Sequence, residues 1–188
     1  MKKALIVILG LLLLMGLGSV ALAYTVSDTI GVKVTVTGNL SVSITETDYQ
    51  FGTLSANSTS VSATAVTVTN DSDGYSESYK MKATDTANWT LVATPDEDKF
   101  CLAAQFSTAR PTDADGSWTD DSLTTTDQNC SATTFGNGTA GEAGINIPAN
   151  AGSGSNRSLW FRIKTPKTVK TGAGTEQTST VTVTAMQA

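Results

Sequence analysis

Histidine is absent from this sequence of 188 residues, and cysteine occurs only twice, at Cys101 and Cys130. The missing histidine removes the commonest general base, the commonest metal ligand and every Ser-His or Cys-His nucleophile. Paired carboxylates, as in glycoside hydrolysis, are the catalytic chemistry that remains. The glutamates are scattered, and aromatic residues make up only 6% of the chain, so no aromatic-rich stretch indicates a sugar-binding cleft. We expect no enzymatic activity and no catalytic residues.

The sequence has only one long hydrophobic run, at its N-terminus, where two lysines precede an apolar stretch at residues 4–15. The small residues Ala21 and Ala23 fit the −3 and −1 positions of a signal-peptidase site. About a dozen apolar residues is short for a bilayer span, which needs roughly twenty. The run therefore predicts a cleaved signal peptide at residues 1–23 and a secreted mature chain starting near Tyr24, without membrane contact after cleavage. A retained anchor is the alternative.

Positive charge is scarce in the expected mature chain. Without the two N-terminal lysines, the remaining basic residues face 17 acidic ones, and the net charge is about −7. Such a balance argues against nucleic-acid and anionic-membrane partners. The length is enough for one domain with a core but not comfortably for two.

Two cysteines in an exported protein predict one disulfide, here between Cys101 and Cys130. Closing a loop of about 30 residues would stabilise the fold by roughly 3–4 kcal/mol in the chain-entropy model. The alternative, a reactive thiol pair, lacks a Cys-x-x-Cys spacing and a cationic helix signal nearby.

Apolar and polar residues alternate with a period of two from residue 31 onward, as in residues 32–36 and 40–44 with Gly38-Asn39 between them. Such alternation around a Gly-Asn pair predicts strands joined by a turn. The pattern returns at residues 61–69, 75–83, 89–94, 100–106, 159–163 and 178–185. We therefore predict an all-β domain at residues 39–188, an Ig-like or jelly-roll-like β-sandwich of about nine strands, with a barrel as the alternative. Leu40, Val42 and Ile44 are among its expected core residues.

Asparagine is concentrated in the motif Asn-x-Ser/Thr, which contains seven of the nine asparagines. Ser and Thr content alone would place fewer there, and the motif accepts N-linked glycans in secreted proteins. The alternative is that these residues are ordinary turn formers. The candidate glycosylation sites are Asn39, Asn57, Asn70, Asn88, Asn129, Asn137 and Asn156.

Two acidic clusters are candidates for calcium binding, because oxygen ligands at alternate positions around a glycine suit a hard cation. Neither cluster has the Glu at position twelve of an EF-hand loop, and solvated turns are the alternative interpretation. Calcium is the one cofactor that the sequence suggests. The candidate ligands are Asp71, Asp73, Asp113, Asp115 and Asp121.

Three segments together resemble exported β-sandwich subunits: Asn-Leu-Ser-Val-Ser-Ile at 39–44, Tyr-Gln-Phe-Gly-Thr-Leu at 49–54 and Val-Thr-Val-Thr-Asn at 66–70. A strand, a Phe-Gly-x-Leu turn and a strand ending in Asn follow one another in spore-coat-U-like and fimbrial subunits, and more loosely in TasA-like biofilm-fibre proteins and archaeal bundling pili. The resemblance covers about 35 residues of the 188. The chain lacks the first-strand Cys of fimbrial subunits, which argues against a chaperone-usher route.

The resemblance implies a subunit that lends an N-terminal strand to a neighbour's sheet. Residues 24–38 would contain this donor strand, with Val32, Val34 and Val36 as its apolar face. The alternative is that the segment pairs within its own domain.

The expected function is that of a secreted structural subunit of the cell surface or of an extracellular filament, acting as a homo-oligomer or self-polymer. The alternative is an extracellular glycan- or protein-binding module, adhesin-like, that would use the loops at residues 107–128 and 136–158.

Overall fold

The computed structural model describes Lys33 and the ranges 39–149 and 154–188. The chain divides into a first unit, residues 1–36, and a second unit, residues 37–188. The predicted signal peptide and the candidate donor residues Val32, Val34 and Val36 lie outside the described residues. The fold below is that of the second unit.

The described residues form nine β-strands, one short 3-10 helix and no α-helix. In chain order they are β1 (Val42–Ile44), β2 (Thr59–Val61), β3 (Val66–Asn70), β4 (Glu77–Ala83), β5 (Thr90–Leu91), β6 (Lys99–Phe106), the 3-10 helix (Asp115–Trp118), β7 (Gln128–Asn129), β8 (Asn156–Lys164) and β9 (Val181–Gln187). The predicted all-β class is confirmed. Nowhere in the ranges described is a helix long and apolar enough to cross a membrane.

The strands belong to two sheets. The first has the order β1-β3-β8-β6-β5, and β2 also pairs with β8; the second has the order β7-β4-β9. All strand pairs are antiparallel except β5 with β6. The long strand β8 organises the first sheet, because β3 and β2 pair with successive parts of it while β6 pairs along its other side.

Side chains from both sheets form the main core. The odd-numbered residues of β4 are buried and the even-numbered ones half-buried, as expected for a strand with one covered face. Strand β6 is buried at nearly every position because its two faces meet different clusters. Phe100 and Phe106 pack in the main core, whereas Ala103 packs with Trp118 and Trp160 on the other face.

The alternating runs located most strands correctly, including β4, β6, β8 and β9, with two differences. The run at 61–69 covers two strands, the end of β2 and most of β3, which are separated by residues 62–65. Ser62 stays beside β8, where its backbone N–H donates to the Phe161 carbonyl and its Oγ accepts from the Phe161 N–H. Leu40 and Ile44, expected in the core, are 44% and 39% exposed.

Candidate functional site

Among the described residues, strand β1 pairs on one side only, with β3. The Asp71 N–H donates to the Ser41 carbonyl at 2.7 Å, so the odd-numbered residues of β1 direct their backbone groups toward β3. The backbone groups of Val42 and Ile44 therefore point away from the sheet, and no described residue pairs with them.

Strand β9, which is longer, also pairs on one side only among the described residues, with β4. The Thr84 N–H donates to the Thr180 carbonyl, and the Ala188 N–H donates to the Ser76 carbonyl. These bonds show that the even-numbered residues of β9 direct their backbone groups toward β4. The backbone groups of the odd-numbered residues therefore point outward, where no described strand pairs with them. The outward residues are Val181, Val183, Ala185 and Gln187.

Apolar side chains follow both edges on the side facing the core. Val181, Val183 and Ala185 of β9 are half-buried against the main core, as is Val42 of β1. Leu40 and Ile44 are the large apolar side chains that are exposed among the described residues. On each edge, therefore, the residues whose backbone groups point outward also place apolar side chains at the margin of the core. This is the geometry that an additional strand with alternating apolar residues would complete.

A buried polar cluster fixes where β1 begins. The Ser41 N–H donates to the Ser72 Oγ and to the Glu77 Oε1, both at 3.0 Å. The Ser72 hydroxyl also donates to Glu77 Oε1, and Glu77 is fully buried. Because a buried carboxylate needs these donors, the chain entering β1 is held at Ser41.

Asn70, at the end of β3, completes this cluster. Its Nδ2 donates to the carbonyls of Tyr75, Ile147 and Pro148 at 2.9 to 3.0 Å. Its Oδ1 accepts from the Ser72 N–H at 2.8 Å. Beside the cluster, burial and then the Glu77 carboxylate raise the pKa of the Tyr79 phenol above its ordinary value, so this hydroxyl stays neutral.

A cavity of about 610 Å³, open to solvent, lies between the two long loops that the sequence singled out. Its floor includes the buried Gln105, whose Nε2 donates to the Ser117 carbonyl and to Asp121 Oδ2, both at 2.7 Å. Around this floor the lining includes Arg110, Thr112, Asp120 and Asn137.

The carboxyl group of Asp121 is fully buried below this cavity. Burial raises the pKa of Asp121 to about 7, and Asp120 adds to the rise, although the Gln105 hydrogen bond acts in the opposite direction. The Asp121 carboxyl therefore holds its proton at mildly acidic pH.

Trp118 is not available to stack on a sugar ring, because it is only 3% exposed and the Arg162 guanidinium lies 5.2 Å from the centre of its ring.

The predicted disulfide is not present, and both cysteines are buried free thiols. Strand β6 separates them. Cys101 lies on the β6 face opposite the main core, with its sulfur 3.6 Å from the Ser122 Oγ. Cys130 belongs to the main core, and burial raises its thiol pKa to about 12. The spacing of two cysteines in sequence could not reveal on which face of a strand each would lie.

The seven candidate glycosylation sites differ in how exposed their side chains are. The prediction is wrong for Asn70, because that side chain is fully buried and its amide is used in three hydrogen bonds. Asn88 is half-buried, with its Nδ2 on Gln177 Oε1 at 3.3 Å. The exposed sites are Asn39, Asn57, Asn129, Asn137 and Asn156.

The structure describes the side chains of four of the five candidate calcium ligands, all except that of Asp115. Asp71, Asp73 and Asp113 are exposed, whereas Asp121 is buried on Gln105. No group of three or more acidic or sulfur side chains within the described ranges is placed to hold a metal ion.

Sequence reasoning missed the buried carboxyls of Glu77 and Asp121. For Glu77 the sequence did contain a signal, because Glu77 occupies an inward position in the alternation of residues 77–83.

A comparison of the chain with family models, curated proteins and solved structures gave no match.

Proposed function

We propose that this chain is a secreted structural subunit of the cell surface or of an extracellular filament, assembled by donor-strand complementation. The observation that supports this proposal most is the pair of open sheet edges, on β1 and β9. Both combine outward backbone groups with apolar side chains at the margin of one core. Natural proteins usually protect such edges, since an unpaired edge is a template for another strand.

Strand addition supplies a physical driving force. The incoming backbone satisfies the free N–H and C=O groups of the edge, and alternate side chains enter the margin of the core. Covering the exposed two fifths of a side chain such as Leu40 or Ile44 is worth about 1 kcal/mol. The proposed donor is the segment at residues 24–36, whose Val32, Val34 and Val36 alternate with polar residues.

The remaining parts of the proposal follow from this function. The domain is an Ig-like or jelly-roll-like sandwich, and the working form is a self-polymer of secreted chains. It needs no catalytic residue and no nucleic-acid or membrane partner. Glycans on the five exposed asparagines of the Asn-x-Ser/Thr motifs would be compatible with a surface location.

Negative-stain electron microscopy of the mature chain, residues 24–188, beside a chain starting at Gly38 tests this function. The second chain keeps nearly all of the compact unit at residues 37–188. We expect ordered fibres from the first chain and none from the second. Monomeric particles from both chains would contradict the proposal.

The cavity between the two long loops favours a second candidate function, a glycan-binding module of the cell surface. The exposed side chains of Thr112, Asp120 and Asn137 line this cavity of about 610 Å³. A monodisperse monomer that is retained on a glycan array, and loses this retention with Asn137→Ala, would favour the module over the filament.

A further inference from the structure

We infer that the loop at residues 107–121, the strap, opens from the first sheet as a unit when the Asp121 carboxyl ionises. The strap forms one side of the cavity between the two long loops. Its opening would therefore make the shape of that cavity depend on pH. This device does not depend on the proposed function, because it involves neither open sheet edge.

The strap covers the face of the first sheet that lies opposite the main core. Trp118 of the strap packs there in a small cluster with Ala103 and Trp160. The Arg110 guanidinium, also on the strap, donates to the Ser62 carbonyl at 2.7 Å. Because this cluster is separate from the main core, the strap can open while the core stays packed.

Asp121 fastens the end of the strap to the sheet. The buried Gln105 of β6 donates through Nε2 to the Ser117 carbonyl and to Asp121 Oδ2, both at 2.7 Å. The Asp121 carbonyl accepts from the Ala104 N–H at 3.0 Å. One amide side chain thus holds both the 3-10 turn and the carboxyl, and Asp121 is fully buried where they meet.

No described residue forms an ion pair with Asp121. Arg110 and Arg162, the arginines that contact the strap, donate to backbone carbonyls. The other titratable groups around the carboxyl are an exposed acid on the strap and two buried thiols, those of Asp120, Cys101 and Cys130. Ionisation of Asp121 therefore leaves an unpaired charge in the interior, which is costly until water reaches it.

The proton of Asp121 couples the opening of the strap to pH. With the strap closed, burial raises the pKa of Asp121 to about 7 and Asp120 adds to the rise, against the hydrogen bonds from Gln105 and from the backbone of Phe135 and Gly136. With the strap open, we expect the ordinary aspartate pKa of about 3.9. The open form then releases a proton that the closed form keeps, so the equilibrium constant for opening rises by about 50-fold from pH 5 to pH 7.

Residue-resolved hydrogen exchange on the mature chain at pH 5 and pH 7 tests the inference. The strap probes are the Trp118 indole N–H and the Ser117 amide, both of which donate to carbonyls within the strap. The reference is the Tyr79 amide, which donates to the Gly144 carbonyl beside the main core. We expect the strap probes to exchange faster than Tyr79 at both pH values. Their protection, corrected for the chemical exchange rate, should fall about 50-fold from pH 5 to pH 7.

Asp121→Asn keeps an acceptor for the Gln105 amide and has no proton to lose, so its strap probes should be equally protected at both pH values. Asp120→Asn is the matched control and should keep most of the fall. The comparison of the strap probes with Tyr79 needs only the native chain. Strap probes that exchange as slowly as Tyr79, or whose protection is the same at pH 5 and pH 7, would overturn the inference. A fall of native size in Asp121→Asn would overturn it too, because another group would then control the opening.

Discussion

Replacing Asp121 by Asn should remove most of the pH dependence of stability between pH 5 and 7.5. In the folded chain the carboxyl is fully buried, and burial raises its pKa to about 7. In the unfolded chain it has the ordinary aspartate pKa of about 3.9. As pH rises through this interval, the unfolded state has already released the proton that the folded state still holds. Stability therefore falls as pH rises, until the folded pKa is passed.

The magnitude follows from the two pKa values. Between pH 5 and pH 7.5 the free energy of unfolding should fall by about 2.5 kcal/mol on account of Asp121 alone. Burial and hydrogen bonds lower the pKa of other carboxyls, including Asp98, Asp127 and Glu142. Those groups are ionised in both states above pH 5, so they contribute little in this interval. Asn at position 121 keeps an acceptor for the Gln105 amide and has no proton to lose.

Urea unfolding at pH 5, 6, 7 and 7.5 measures the effect. The native chain should lose roughly 1 M in its unfolding midpoint across the series, and Asp121→Asn should lose far less. Asp120→Asn, at the exposed neighbour, is the matched control and should retain nearly the native slope. Equal slopes in the native chain and in Asp121→Asn would refute the buried, protonated carboxyl.

Three further results are expected. Asn70→Ala should lower the free energy of unfolding by about 2–4 kcal/mol, because three carbonyls lose their donor. Protein made in a host that attaches N-glycans should carry none on Asn70, as mass spectrometry would show. A substitution without effect on stability would contradict the buried, hydrogen-bonded Asn70. After treatment with an alkylating reagent, denatured but unreduced protein should carry two alkyl groups, one at each free thiol, whereas the folded protein should carry none. Absence of alkylation in denaturant would show that the two cysteines form the disulfide. Tyr79→Phe should leave the urea midpoint unchanged or raise stability by about 1 kcal/mol, because the hydroxyl is buried without a described partner; a large loss would show that the hydroxyl is bonded.

The sequence predicted strands best where alternation and burial coincide. Strands β4 and β9 carry a clear period of two, because each has an apolar face on the main core. The break between β2 and β3 was missed, although the apolar positions change from odd to even between Ala65 and Val66. Local pattern encodes a strand's face but not its partner.

The candidate site was less visible for the same reason. Asn70 matches a glycan acceptor motif, yet its position at the end of β3 buries it among carbonyls from distant loops. The open edges depend on which strands end each sheet, and sheet order is a long-range property. Leu40 and Ile44 were expected in the core because they belong to an apolar alternation. The alternation identified an apolar face but not whether other residues would cover it, and both side chains are exposed.

Residue-resolved hydrogen exchange on the mature chain tests the central claim most directly. The backbone N–H groups of Val181, Val183 and Ala185 point outward, whereas those of Thr182 and Thr184 are paired with β4. In dilute monomer the outward amides should exchange fast and the inward ones slowly. On assembly at high concentration, the account predicts that the outward amides become protected together with those of the donor segment. Assembly that leaves the outward amides of both β9 and β1 as fast as in the monomer would contradict strand addition.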